Sequence, residues 1–226
     1  MCMIHPDTEL QFICPEKGYG VVAIKPIPKG TVTWVLDPLD RVFTDEDIKP
    51  MPQVIKKLLD TYTFRDNCGR SILCWDHGRY VNHSFRPSCI TTAYDFEIAV
   101  RNIEPGEELT NDYGTLNITQ PFHCLPEKGI RRKVVYPDDL LKYYRKWDKE
   151  VFNALKRFNQ VQQPLLQFIS KNTLTKVVDI IDEKYKMASI KTCYYRPCRP
   201  DRKNRTKYSL NIFQNEPYRD IQSQST

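Results

Sequence analysis

In the first 120 residues, apolar positions come in short runs bounded by Pro and Gly; beyond them they recur every three or four residues. The first pattern predicts strands and the second predicts helices. Residues 10–13 and 20–24 read as strands, residues 26–30 (Pro26-Ile27-Pro28-Lys29-Gly30) as a turn, and residues 31–36 as a further strand. Thr44 before Asp45, Glu46 and Asp47 predicts a short capped helix. A hydroxyl there satisfies a free N–H, and acids suit the positive end of the helix dipole. Val54, Ile55, Leu58 and Leu59 follow at helical spacing. Residues 62–74 return to a β pattern, and residues 96–100 form one more strand.

After residue 120 the period changes. Pro137-Asp138-Asp139 marks a helix start. Leu140, Tyr144, Trp147, Val151, Leu155 and Phe158 then make one apolar stripe, which Pro164 interrupts. A second amphipathic stretch carries Leu174, Val177, Val178, Ile181 and Tyr185, with Asn172 or Thr173 as its cap. The aromatic stripe reads as packing, against the first half of the chain or against a second copy, so oligomerisation through these helices is one expectation. The fold class expected is α+β and β-rich: small sheets over residues 1–120, then a mainly helical region over residues 121–226 with a basic tail from about residue 191.

The charge is split. The chain of 226 residues has a net charge of +6, but residues 1–120 hold 12 Lys/Arg against 17 Asp/Glu, and residues 121–226 hold 22 against 11. An acidic first half attracts basic peptides. A basic second half suits an anionic surface such as nucleic acid. From Lys191 to Lys207 there are seven Lys/Arg and one Asp. Eight cysteines occur without any C-x-x-C pair, and His5, His77 and His123 are scattered, so no metal site is expected. No apolar run approaches the roughly 18 residues needed to span a bilayer, and no secretory signal is evident. Cytoplasm or nucleus is therefore expected, with reduced thiols.

Three strings carry the chemistry. Residues 79–89 read Arg79-Tyr80-Val81-Asn82-His83-Ser84-Phe85-Arg86-Pro87-Ser88-Cys89. Residues 106–113 read Gly106-Glu107-Glu108-Leu109-Thr110-Asn111-Asp112-Tyr113. Upstream stands Lys17-Gly18-Tyr19-Gly20-Val21-Val22-Ala23. In this order and spacing they resemble the SET-domain protein-lysine N-methyltransferases, whose signatures run R-F/Y-x-N-H-S-C-x-P-N and G-E-E-L-T-Y-D-Y. The likeness covers about residues 12–115.

The resemblance implies a SET-like fold in which the two signature segments cross in a knot-like arrangement. It implies transfer of a methyl group from S-adenosylmethionine to a lysine of a protein, with S-adenosylhomocysteine as product and histone as the leading substrate class. It assigns cofactor contacts to Lys17, Gly18, Tyr19, Gly20, Asn82 and His83, a bracing or binding role to Arg79, and an adenine cover to Phe122. Tyr113 becomes the catalytic residue. A phenol of ordinary pKa near 10 stays neutral at pH 7, so its role is orienting and electrostatic. Tyr62, Phe64 and Asn111 become walls of the lysine channel. Glu107 and Glu108 read as turn and surface residues.

The chain also departs from the pattern. Phe85 stands for the usual Cys, Ser88 for the usual Asn, and Asn111 for the Tyr or Phe that commonly governs how many methyl groups are added. A smaller residue at 111 predicts a roomier pocket and more than monomethylation. Where many relatives carry a zinc-binding C-x-C, this chain has Cys124-Leu125-Pro126, so no zinc is expected there. Two rival readings remain from the residues themselves: a non-catalytic SET-like binding module, and a nucleic-acid- or chromatin-associated protein that uses its basic half.

Overall fold

A computed structural model describes residues 3–196. The expected basic tail lies outside the described residues from residue 197 onward. In chain order the elements are β1 (Thr8–Cys14), β2 (Gly18–Ala23), β3 (Val32–Val35), β4 (Arg41–Phe43), α1 (Asp45–Ile48), α2 (Gln53–Tyr62), β5 (Thr63–Arg65) and β6 (Ser71–Leu73). They continue with β7 (Asn82–His83), β8 (Cys89–Thr91), β9 (Phe96–Ala99), β10 (Thr110–Asn111), β11 (Phe122–His123), β12 (Val134–Val135), α3 (Asp139–Leu155) and α4 (Lys171–Ile181). The strands form two three-stranded sheets, ordered β3-β9-β8 and β4-β6-β5, and three two-stranded pairs, β1-β2, β7-β10 and β11-β12.

The sheet β3-β9-β8 separates two apolar cores, and strand alternation decides which side chain faces which. Val35, Ile90, Phe96 and Ile98 face the larger core. Trp34, Cys89 and Ala99 face the smaller one, with Val21, Ala23, Ile27, Ile103 and Leu109. Into the larger core α3 buries Leu140, Trp147, Val151 and Leu155, the stripe read from the sequence. Full burial of one such side chain is worth about 1.5–3 kcal/mol, so this helix closes the sheet's outer face. Gln163 completes the sheet edge: its Oε1 accepts from Val32 N at 2.9 Å and its Nε2 donates to the Gly30 carbonyl at 2.8 Å.

Several local expectations need correction. The capping box at Thr44 is present. The cap of α4, however, is Ser170, whose Oγ accepts from Thr173 N at 3.1 Å; Asn172 and Thr173 lie inside the helix. Tyr185 falls beyond the end of α4 and is exposed, because the helix stops at Ile181. The β reading of residues 62–74 is broken: Tyr62 ends α2, and a turn at Asp66–Gly69 divides β5 from β6. Of the α2 apolar positions only Leu59 is buried, while Val54, Ile55 and Leu58 remain exposed. Cys14, Cys68, Cys74, Cys89, Cys124 and Cys193 are free thiols.

Candidate active site

The two signature strings meet as strands. β7 and β10 run parallel, with Asn82 opposite Thr110 and His83 opposite Asn111. Ser84 N extends the pairing by donating to the Asn111 carbonyl at 3.0 Å. The pair is short because turns flank both segments. Asp76 caps the turn before β7 by accepting from Gly78 N at 2.8 Å, and Asp112 caps the turn after β10 by accepting from Gly114 N at 3.0 Å.

Next to the Asn-His pair, the backbone N–H of Tyr113 donates to His83 Nδ1 at 3.2 Å. That bond leaves the ring proton on Nε2. Nε2 is buried and has no partner. Burial, then the positive charges of Arg132 and Lys17, push the His83 pKa down to about 3, so the imidazole is neutral and its approach to Asp112 is not an ion pair. Its ring centroid lies 5.3 Å from that of Tyr113 and 6.1 Å from that of Phe122; Phe122 lies 5.5 Å from Tyr113. The Tyr113 hydroxyl donates to the Val81 carbonyl at 3.1 Å. Desolvation, then the carboxylates of Glu108 and Glu97, raise its pKa above the ordinary phenol value.

The glycine string joins this cluster through Glu108. Asn82 Nδ2 donates to Glu108 Oε1 at 2.6 Å and to the Tyr19 carbonyl at 3.0 Å, and Lys17 Nζ pairs with Glu108 Oε2 at 2.7 Å. Glu108 is therefore not a surface residue: its side chain is only 14% exposed and links two strings. Glu107 does sit in the turn, accepting from Arg101 and from Glu104 N. Gly20 has no room for a side chain, since a Cβ would stand 2.5 Å from Glu108 Oε1 and 3.0 Å from Asn82 Nδ2. Gly18 is needed for its backbone, with φ of +74°, and faces open space.

The channel candidates divide. Tyr62 and Tyr19 both pack edge-on against Tyr80, at 5.4 and 6.4 Å between centroids. Phe64 packs on Trp34 at 6.0 Å, within the smaller core. Asn111 is buried and turned to Thr91 and Glu97: its Nδ2 donates to Thr91 Oγ1 at 2.8 Å and to Glu97 Oε1 at 2.5 Å. Burial raises the Glu97 pKa to about 7, against the hydrogen bonds from Thr91 and Asn111. Arg79 spends its guanidinium on the carbonyls of Cys74 and Trp75, both at 3.3 Å, and so braces the chain entering the first signature.

Residues 18–114 match the family model for the SET domain. Over that span the chain is similar to the SET domain. All three strings fall within or at the edge of that match. A solved structure of a Plasmodium falciparum protein, described as a candidate histone methyltransferase, is similar over 49% of this chain and 95% of its own, at 18% identity and a TM-score of 0.37. No curated protein matches the chain. Among the described residues, no cluster of three or more His, Cys, Asp or Glu could hold a metal ion, and no helix is long and apolar enough to cross a membrane.

Sequence reading missed four residues of this site. Tyr80 stood inside the first string, and Glu108 inside the second but assigned to the surface. Arg132 and Glu127 come from the segment after the signatures and carry no local motif; only folding brings them in.

Proposed function

We propose that this chain is an S-adenosylmethionine-dependent protein-lysine methyltransferase. The observation that carries the reading is the hydrogen bond from Tyr113 N to His83 Nδ1 across the parallel pair β7-β10, which holds a neutral phenol beside the Asn-His pair. The same pairing supports the knot-like crossing of the two signatures.

The residues fit the cofactor. A buried, unpartnered N–H on His83 offers a donor to a polar ligand. Lys17 and Glu108 offer both signs of charge for an amino-acid moiety, and Gly18 leaves open space beside them. Lys17, Gly18, Tyr19, Gly20, Asn82 and His83 would hold it, with Phe122 as cover. S-adenosylmethionine, when bound, supplies the electrophilic methyl group. Tyr113 orients the incoming amine; its raised pKa keeps the phenol protonated, so it does not act as the base. The desolvated side chains of Tyr113 and His83 favour a neutral amine over an ammonium; Phe122 at the rim is 43% exposed. Positioning of this kind can supply several kcal/mol of the barrier reduction.

Residues 1–120 are proposed as the catalytic domain and residues 121–226 as its supporting helical region. The substrate is proposed as a basic, Lys-containing protein segment, histone first, which the acidic first half attracts, in cytoplasm or nucleus. Asn111, drawn back to Thr91 and Glu97, supports a pocket roomy enough for more than one methyl group.

Radiolabelled methyl transfer to a protein panel tests the reading, with Tyr113→Phe as control. Label on lysine that falls at least 100-fold in the variant is the expected result. Cofactor binding without transfer to any protein would favour the non-catalytic module instead.

A further inference from the structure

The segment after the two signature strings carries a charge cluster whose carboxylates are buried. Arg132, between the signatures and α3, pairs with Asp112 at 2.6 Å and with Asp139 at 2.5 Å. Those two carboxylates are 1% and 2% exposed. The guanidinium also lies over the rings of Phe85 at 4.5 Å and Tyr143 at 4.6 Å. Five residues earlier, Glu127 takes the Phe85 N–H at 2.8 Å on Oε1 and the Ser84 hydroxyl at 3.1 Å on Oε2. Ser84 and Phe85 directly follow Asn82-His83, and Asp112 directly precedes Tyr113. One hairpin therefore grips both signature strings.

We infer that the hairpin β11–β12 is a flap latched onto the site, with Arg132 and Glu127 as positioning residues that hold Phe122 over His83 and Tyr113; its consequence for cofactor binding rests on the function proposed above. The hairpin's own pairing is slight. It comprises Phe122 with Val135, His123 with Val134, and the bond from Cys124 N to the Lys133 carbonyl at 2.9 Å. An isolated two-stranded hairpin is marginal in water. The two clamps supply what the ladder lacks, because hydrogen bonds to charged partners out of water are strong and directional. Their geometry is specific. A planar guanidinium reaches two carboxylates on separate elements at once, whereas an ammonium offers no such fork. Phe122 lies on the strand that these clamps steady, so its distance from Tyr113 and His83 depends on them.

Hydrogen–deuterium exchange and calorimetry with S-adenosylhomocysteine test the latch on the full chain. In Arg132→Met, peptides spanning residues 121–135 should exchange at least tenfold faster, while those of β3 and β9 keep their protection. S-adenosylhomocysteine should bind tenfold or more weakly. Arg132→Lys should recover part of both losses, and Glu127→Gln should show a smaller version of each. If Arg132→Met does not fold, Arg132→Lys and Glu127→Gln carry the same comparison. Unchanged exchange in residues 121–135 overturns the latch, and faster exchange with unchanged affinity overturns its role in cofactor binding while supporting the mechanical latch. A wild-type chain that binds no S-adenosylhomocysteine, while Arg132→Met still loosens the hairpin, overturns the proposed function and the cofactor half of this inference but supports the mechanical latch.

Discussion

Gly20 and Gly18 should fail on substitution for different reasons, and a double-mutant cycle separates them. Gly20 lies outside the left-handed region, so Ala costs its backbone nothing there. The added methyl would stand 2.5 Å from Glu108 Oε1, 2.7 Å from Ile13 Cγ1 and 3.0 Å from Asn82 Nδ2. Ordinary contact begins near 3.4 Å, so Glu108 must retreat and its 2.6 Å bond from Asn82 must break. Overpacking costs about 1–3 kcal/mol, and a hydrogen bond to a charged group contributes about 1.5–3 kcal/mol. These overlap, so Gly20→Ala should destabilise by about 2–4 kcal/mol in urea denaturation. Removing Glu108 first removes the closest contact and the hydrogen bond, and leaves the crowding against Ile13 and Asn82. In a Glu108→Ala background the same substitution should cost at least about 1 kcal/mol less, well beyond the additivity error of about 0.5 kcal/mol. Gly18→Ala meets no atom within 4 Å but must hold φ of +74°, a strain of about 1–2 kcal/mol. That cost should be the same with or without Glu108. Additive costs for Gly20→Ala and Glu108→Ala would refute the steric account.

Glu97 gives a pH signature. Its folded pKa of about 7 stands above the ordinary value of 4.5, so its contribution is complete below pH 4.5 and is lost as pH rises through 7. At about 1.4 kcal/mol per pH unit the loss is on the order of 3 kcal/mol. Urea titrations should show Glu97→Gln gaining on the wild type between pH 5 and pH 8, and a constant gap would count against the burial of that carboxyl. His83 works in the opposite sense. Its folded pKa of about 3 lies below the ordinary 6.5, so stability should fall as pH drops below 6.5, and His83→Asn should flatten that limb. Trp147→Ala should cost about 3–5 kcal/mol, seen as a lower urea midpoint, because Trp147 is fully buried beneath the sheet. Asn111→Tyr should shift the product toward monomethyl-lysine by mass spectrometry; an unchanged product distribution would remove residue 111 from control of multiplicity.

Much of the local structure was legible in the chain. The stripe of α3 and the box at Thr44 needed only period and capping chemistry, because both rest on neighbours three or four residues apart. The cap of α4 was misread because Ser, Asn and Thr at residues 170–173 are all competent caps, and the choice depends on where the preceding loop releases the chain. The β reading of residues 62–74 failed for a related reason: a two-residue register is hard to tell from the end of an amphipathic helix.

The strings at residues 17–23, 79–89 and 106–113 carried the resemblance to the SET domain, since side-chain identity and order are properties of the sequence itself. Which of those residues share a hydrogen bond was decided only by folding. Glu108 joins Lys17 to Asn82 across 91 and 26 positions of chain, and Arg132 reaches Asp112 across 20. Burial then set the chemistry, since the same imidazole and carboxyl would titrate near their ordinary values in water. A carboxylate's partner, and the solvent it loses, belong to three-dimensional neighbours that no local spacing encodes.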